Sequence, residues 1–215
     1  MNRPLTLVLM LAVLAGAFTF LGTLLTAPSH VNVAQYGSQV RAAMAAGDFS
    51  LVGELSRKAL RGEPRFQEAM MFLAINEERH GSQRRADSLW SRLERVSREN
   101  IRRGNGRPEQ RYYLGWALHG LDRPDEARRE WAELVRLTGP GEDGYNRACY
   151  LALAGRTDEA LAEWERLTES GVGIDLRWAR VDPDLDAIRG DPRFEAARQK
   201  ARQRLRARME NETRI

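Results

Sequence analysis

The fold is decided by the stretch Arg111-Tyr112-Tyr113-Leu114-Gly115-Trp116-Ala117-Leu118 and, after a short turn, Asp122-Arg123-Pro124-Asp125-Glu126-Ala127-Arg128-Arg129-Glu130-Trp131-Ala132-Glu133-Leu134. Apolar residues recur in both runs at the spacing of one helix face. Gly115 and Ala127 are small, so two helices can approach each other closely at these positions. Trp131 and Leu134 then fill the space towards the next pair. The stretch therefore predicts two helices packed as a pair.

The same pattern recurs along the chain with a period of about 34 residues. Gly47 and Gly81 are 34 residues apart (81 − 47), and Trp131 and Trp164 are 33 apart (164 − 131). A Trp-x-x-Leu motif occurs in one register in three of the units, as Trp90/Leu93, Trp131/Leu134 and Trp164/Leu167. Repetition at this period is typical of stacked helical pairs, in which each unit buries its apolar face against its neighbours.

Two departures from the period are informative. The first unit has Val52 and Ser56 where the others have alanine and tryptophan, and an atypical unit is expected at the end of a repeat array. We expect a tryptophan in place of Ser56 to be tolerated. Ala86 and Ala127 are 41 residues apart (127 − 86), so about seven extra residues lie between units two and three. Arg102–Arg107 is interpreted as a flexible basic loop there.

On these motifs the chain resembles tetratricopeptide repeat (TPR) proteins over residues 33–174. The fourth unit and the tail resemble the carboxy-terminal module that follows the repeats in many bacterial proteins of this kind, through Tyr145-Asn146-x-Ala148-Cys149, Asp182-Pro183-Asp184-Leu185 and Asp191-Pro192-Arg193-Phe194. Residues 175–215 are expected to form its capping part. The resemblance implies an all-α fold, a right-handed solenoid of about four helical pairs with capping C-terminal helices. It also implies a concave groove that binds a peptide or another protein.

An uncharged apolar segment precedes the repeats. Leu5–Ala27 has 23 residues (27 − 5 + 1) and would span about 34 Å as a helix, enough for a bilayer core of about 30 Å. Arg3 lies before it, which predicts a cytoplasmic amino terminus and a periplasmic bulk of the chain. We expect residues 1–27 to be a transmembrane anchor in a bacterial inner membrane and 28–32 a linker. A cleaved signal peptide, which would leave a soluble periplasmic protein, is the alternative.

Composition and motifs argue against several function classes. The net charge of +4 comes from 34 basic and 30 acidic residues, without the basic face of a nucleic-acid binder. The three histidines form no metal motif, and His119 with Cys149 has no accompanying oxyanion motif. Asp182, Asp184 and Asp186 resemble the start of a calcium loop, but the sixth and twelfth positions hold Ala187 and Arg193. We therefore predict no catalytic, cofactor or metal site.

Two aspartates in this part of the chain have a structural interpretation instead. Asp182 and Asp191 each precede a proline and are expected to cap helices. The last helix is predicted to begin near Pro192. It would close the end of the solenoid with apolar residues at helical spacing, namely Phe194, Ala197, Ala201 and Leu205.

If the TPR resemblance holds, a defined set of side chains faces the groove and would bind a protein partner: Arg41, Met71, Ile75, Tyr112, Trp116, His119 and Tyr145, with Arg79 nearby. Exposed aromatic and guanidinium groups are enriched where proteins bind each other. Packing alone is the alternative role for Met71, Ile75 and Tyr112. Rim contacts are expected from Arg102, Arg103, Arg107, Arg202 and Arg206.

These observations favour a non-catalytic adaptor, an accessory or scaffold subunit of a membrane protein complex, with a membrane-embedded or membrane-attached protein as partner. We expect neither a nucleic acid nor a small-molecule substrate. A transient assembly factor for envelope or cytochrome maturation is an alternative, and an enzyme on a repeat scaffold is a third. Stoichiometric co-purification with a membrane complex separates the adaptor from the assembly factor.

Overall fold

The computed structural model describes residues 32–104, 107–139, 144–170 and 174–212. The chain divides into Met1–Val31 and Asn32–Ile215, and the predicted anchor and most of the predicted linker lie outside the described residues. Every regular element in the described residues is helical, and none is a strand. Within that part of the chain, each helix is too short or too polar to span a bilayer.

The described residues form ten α-helices in which neighbours along the chain pack together, an arrangement consistent with a helical solenoid. Four consecutive pairs come first: α1 Val33–Ala46 with α2 Phe49–Gly62, α3 Gln67–His80 with α4 Gln83–Arg102, α5 Glu109–Gly120 with α6 Pro124–Leu137, and α7 Gly144–Leu153 with α8 Thr157–Ser170. A 3₁₀ turn at Pro183–Leu185, the short α9 Asp186–Arg189 and α10 Pro192–Glu212 follow.

Local sequence explains where the first helices begin and end. The Asn32 side chain accepts a hydrogen bond from the Gln35 amide at 3.3 Å, and Asp48 accepts one from the Leu51 amide at 3.0 Å. Both satisfy amide groups that have no partner within the helix. Gly47 ends α1 with a φ of 75°, a left-handed conformation that glycine adopts without steric cost. Gly47 and Asp48 together set the α1–α2 turn.

The three repeated tryptophans are buried, as the spacing predicts. Gly115 allows the close approach, because a Cβ atom there would lie 2.2 Å from Trp131 Nε1. The ring of Trp131 also lies 5.9 Å from that of Trp116, so it packs on α5, the first helix of its own pair. We expected Trp131 to pack mainly against the next pair, between α6 and α7, and this is wrong because it packs mainly on α5. Its ring also borders a cavity that includes Ala152 of α7.

The first pair replaces the missing aromatic in a different way. Tyr36 of α1 is buried, and its hydroxyl is 2.9 Å from the Ser56 hydroxyl. The same ring packs edge-on against Phe66 at 5.0 Å. Ser56 is fully buried. The expectation that a tryptophan would be tolerated at position 56 is wrong, because Tyr36 already fills that space.

The extra residues between units two and three lengthen a helix. α4 has 20 residues, whereas α2 and α6 have 14 each. It ends at Arg102, the first residue of the predicted basic loop, and Arg103 and Gly104 lie beyond the helix as predicted. Asn105 and Gly106 lie outside the described residues.

The C-terminal helix covers the last pair as predicted, over part of its length. α10 begins at Pro192, and the Asp191 side chain accepts a hydrogen bond from the Arg193 amide at 2.8 Å. Phe194 stacks on Trp164 with ring centroids 4.7 Å apart, and Trp164 Nε1 donates to the Phe194 carbonyl oxygen at 3.0 Å. Ala197 and Ala201 are buried, but Leu205 is 45% exposed, so the prediction was wrong at Leu205.

Candidate functional site

The segment Asp182–Asp186, which we call the acidic turn, lies on the side of the helical pairs formed by α3, α5 and α7. Asp184 is buried there. Its carboxyl oxygens accept hydrogen bonds from the Tyr112 hydroxyl at 3.0 and 3.1 Å and from Trp116 Nε1 at 3.0 Å. Tyr112 and Trp116 are one turn apart on α5, so a single helix face presents both donors.

Asp182 is held in the same way by the next pair. Its Oδ2 atom accepts a hydrogen bond from the Tyr145 hydroxyl at 2.7 Å and contacts Cys149 Sγ at 4.0 Å. Its Oδ1 atom accepts from the Asp184 amide at 3.1 Å, which caps the 3₁₀ turn as predicted. Tyr145 and Cys149 are each 33 residues after the α5 donors (145 − 112 and 149 − 116). Equivalent positions of two successive repeats therefore hold the two carboxyls.

Further contacts fix the ends of the acidic turn. Arg79 of α3 forms an ion pair with Asp186 at 3.4 Å. Arg189 donates to the Asp182 carbonyl oxygen and pairs with Asp186. Before the turn, Trp178 packs edge-on against Phe72 of α3 at 6.2 Å. The chain thus returns across three of the first helices and is bonded to each.

Burial governs the protonation of the two carboxyls. Removal from water raises the pKa of Asp184 well above 3.8, and the nearby charge of Asp182 raises it further. Burial also raises the pKa of Asp182, against the lowering effect of its hydrogen bond from Tyr145. Burial and the neighbouring carboxyls raise the pKa of Tyr112 and Tyr145 too. Both phenols consequently remain protonated and able to donate.

Cys149, Asp182 and Asp184 bring three ligand-type atoms within 4.8 Å of one another. These carboxylates already accept side-chain hydrogen bonds from two phenols and an indole, in addition to the thiol contact. Such donors satisfy the lone pairs that a metal ion would need. We therefore interpret the cluster as a structural hydrogen-bond network that attaches the acidic turn, and we assign no metal to it.

The acidic turn borders two cavities on this side of the helical pairs, which we call the inner groove. Cavity A, of about 270 Å³, is bounded by α1, α3, α5, α7 and the residues Trp178, Asp182, Pro183 and Asp184. Cavity B, of about 250 Å³, is bounded by α3, α5, α6, α7 and the residues Pro183, Asp184, Asp186 and Ala187. Because Pro183 and Asp184 line both, the turn divides the groove.

The structure places all eight side chains predicted for the groove beside one of the two cavities. Cavity A is lined by Arg41, Met71, Tyr112 and Tyr145, and cavity B by Ile75, Arg79, Trp116 and His119. Their role in binding a partner stays a prediction.

The expectation that the aromatic and guanidinium groups of this set are exposed is only partly correct. Arg79 and His119 are exposed, and Arg41, Tyr112 and Tyr145 are half-buried. Trp116, which is 7% exposed, lies beneath Asp184. The apolar members Met71 and Ile75 are buried as well.

The five arginines predicted for the rim, Arg102, Arg103, Arg107, Arg202 and Arg206, are exposed. Their contact with a partner stays a prediction.

His119 and Cys149 have different surroundings. The His119 ring lies 5.8 Å from Trp116 and 6.0 Å from Trp131, whereas Cys149 contacts Asp182.

Sequence reasoning missed the acidic turn as an occupant of the groove. The Asp-Pro-Asp motif indicated a cap, and Asp182 does cap the 3₁₀ turn, but its second role depends on α5 and α7. One signal was present in the sequence: hydrogen-bond donors at the same register of two successive repeats, with two aspartates two residues apart downstream. Trp178 and the cavity tyrosines Tyr113 and Tyr150 were also missed.

No protein-family model matches the chain, and a search of curated proteins finds none that matches it.

Proposed function

We propose that the protein is a non-catalytic interaction module whose inner groove binds a segment of a protein partner. The observation that carries this proposal is that the groove already binds a segment of its own chain. Phenol, indole and guanidinium groups from α3, α5 and α7 hold the acidic turn. Groups of this kind anchor peptide segments by apolar burial and directed hydrogen bonds. Arg41, Arg79 and His119 remain accessible beside the turn.

We propose further that the helical pairs form a right-handed TPR-type solenoid. The repeat period of 33–34 residues, the small residue that meets Trp131 and the buried tryptophans at one register support this. In such an array the first helices of successive pairs form the concave face.

The final part of the proposal is a membrane location. The uncharged residues 5–27 would anchor the chain in a bacterial inner membrane with residues 32–215 in the periplasm. Tethering raises the effective concentration of the groove for a partner in the same membrane. The protein would then be an adaptor or accessory subunit of a membrane complex.

The anchor predicts that the mature protein retains its amino terminus. We expect the intact mass to correspond to a chain that begins at Met1 or Asn2. The protein should also stay with the membranes after an alkaline carbonate wash. A periplasm-active reporter fused after Ile215 should be active, because the positive residue lies before the apolar run. A mature amino terminus near Pro28 would contradict the anchor. An inactive reporter would indicate the opposite orientation, with the bulk of the chain in the cytoplasm.

The binding function predicts that the groove captures one defined protein in cells. A photo-crosslinking residue at Arg41, Arg79 or His119 should give the same crosslinked chain, because these accessible side chains line the two cavities. The same probe at Arg129, an exposed position of α6, is the matched control and should not.

The proposal also predicts how much of the partner co-purifies with this chain. A partner of an accessory subunit should be recovered with this chain in equal amount from mild detergent. Capture at Arg129 or in the basic helix α10 alone would place the binding surface outside the groove.

A further inference from the structure

Cavity A has walls of unusual composition for a gap between helices. Six aromatic side chains from α3, α5, α7 and the segment before the acidic turn line it, namely Phe72, Tyr112, Tyr113, Tyr145, Tyr150 and Trp178. Its volume of about 270 Å³ lies just below the range of about 300–1,000 Å³ that is common for small-molecule pockets. The space suits a compact group of a few heavy atoms.

The rings that line the cavity lie at different angles to one another. Tyr112 meets Tyr113 edge-on at 5.2 Å and lies tilted to Tyr150 at 5.9 Å, and Phe72 meets Trp178 edge-on at 6.2 Å. Aromatic faces carry negative electrostatic potential and attract cations within about 6 Å of the ring centre. Rings arranged in this way can surround a cation on more than one side.

The charged groups of the cavity have the sign that complements the rings. Four carboxyl groups line it, from Glu68, Glu109, Asp182 and Asp184, against the single guanidinium of Arg41. Burial raises the pKa of Asp182, Asp184 and Glu68, so each of these groups gains from a cation beside it that stabilises its ionised form. Arg41 lies 3.6 Å from Glu68 with 43% of its side chain exposed, so it occupies the opening and not the interior. Carboxyl groups in these surroundings favour a cationic ligand over an anionic one.

The hydrogen bonds already present narrow the class of cation. Tyr112 and Tyr145 donate to the two buried aspartates, so those carboxyl oxygens have protein partners. These two buried carboxyl groups are therefore less available to a ligand that must donate several hydrogen bonds. A methylated ammonium group needs none and is stabilised by ring faces instead.

We infer that cavity A binds an organic cation of the quaternary ammonium class, held by the aromatic faces and the surrounding carboxyl groups. This inference goes beyond the proposed function and does not depend on it, since the cavity lies wholly within residues 41–184. The ligand is either a free small cation or the same group at the end of a lipid headgroup.

The test uses the full chain in a maltoside detergent, which carries no ammonium group, with choline as the probe. We expect a dissociation constant of about 1 mM and an upfield shift of the choline methyl protons, because ring faces shield them. The neutral isostere 3,3-dimethyl-1-butanol should bind at least tenfold more weakly. Equal binding of the isostere, or no saturable binding of choline up to about 20 mM, would overturn the inference.

A matched pair of variants distinguishes the contribution of the aromatic ring from that of an apolar side chain of similar size. Tyr113→Phe keeps the ring and should bind choline within about twofold of the wild type, whereas Tyr113→Leu should bind at least fivefold more weakly. Tyr113 donates no hydrogen bond to the buried aspartates, and equal unfolding midpoints would confirm that the variants fold alike. Similar affinity of the two variants would contradict a site built on ring faces.

A third variant should improve binding, an outcome that misfolding cannot produce. Arg41→Gln removes the positive charge at the opening and should tighten choline binding by about threefold or more. Unchanged or weaker binding would count against the electrostatic part of the inference.

Glycerophosphocholine identifies the source of the ligand. Binding at least as tight as choline indicates a lipid headgroup, and weaker binding indicates a free cation.

Discussion

Replacing Trp131 with alanine is expected to lower the free energy of unfolding by about 3–5 kcal/mol. The side chain is 4% exposed and lies against Gly115, where a Cβ atom would come within 2.2 Å of its Nε1 atom. That nitrogen also donates to the Tyr112 carbonyl oxygen at 3.3 Å. Truncation would leave a cavity between α5 and α6, and α5 carries the donors that hold Asp184.

Denaturant unfolding of the full chain measures this effect. Leu137→Ala on the same helix is the matched control, because Leu137 is 44% exposed and should cost less than about 1 kcal/mol. A loss below about 1 kcal/mol for Trp131→Ala would mean that the tryptophan does not fill the space between the paired helices.

Replacing Asp184 with alanine is expected to cost about 2–4 kcal/mol. The change leaves the Tyr112 hydroxyl and Trp116 Nε1 without their acceptor, and Trp116 is buried. Asp184→Asn keeps an acceptor oxygen of nearly the same shape and should cost much less. Similar losses for the two variants would show that the side chain contributes through its volume and not its hydrogen bonds.

The asparagine variant also predicts a pH dependence with a definite sign. Because burial raises the pKa of Asp184 in the folded state, that state binds the proton more tightly than the unfolded state. The resulting stabilisation is fully present below about pH 3.8 and is lost as the pH rises through the folded pKa. Asp184→Asn lacks this titration, so its stability relative to the wild type should increase from pH 4 to pH 7. Parallel profiles of unfolding free energy would contradict a raised pKa.

Periodicity was enough to predict the helical pairs because each pair buries the same kind of apolar face. About four helical pairs were expected, and the described residues contain four consecutive pairs. The tryptophans at one register are buried, and Gly115 lies where close approach requires it. These features are set by contacts within a pair or between neighbours, which the sequence reports directly.

The acidic turn could not be predicted in this way. Its contacts join residues 68 and 72 positions apart in the chain, as in Trp116 with Asp184 and Tyr112 with Asp184. Local sequence reports only the cap that Asp182 provides. The groove residues lie beside the cavities because the helix register alone determines their side of the helix. The burial of Trp116 was not predicted, because it depends on the distant Asp184.

One local misjudgement has a different cause. Leu205 has helical spacing with Ala201, yet it lies beyond the part of α10 whose apolar residues are buried. The predicted basic loop, by contrast, agrees with the structure in its described residues, because α4 ends at Arg102 and Arg103, Gly104 and Arg107 are not helical.

The central claim is that the inner groove binds the acidic turn through directed hydrogen bonds, and a double-mutant cycle between Tyr112→Phe and Asp184→Ala tests it most directly. The Tyr112 hydroxyl donates to both carboxyl oxygens, at 3.1 and 3.0 Å. In the wild type, Tyr112→Phe should cost about 1–3 kcal/mol of unfolding free energy, and in the Asp184→Ala background almost nothing, so the coupling energy should be about 1–3 kcal/mol. A coupling energy below about 0.3 kcal/mol would mean that the turn does not lie on α5 as described, and the groove would be open along its length.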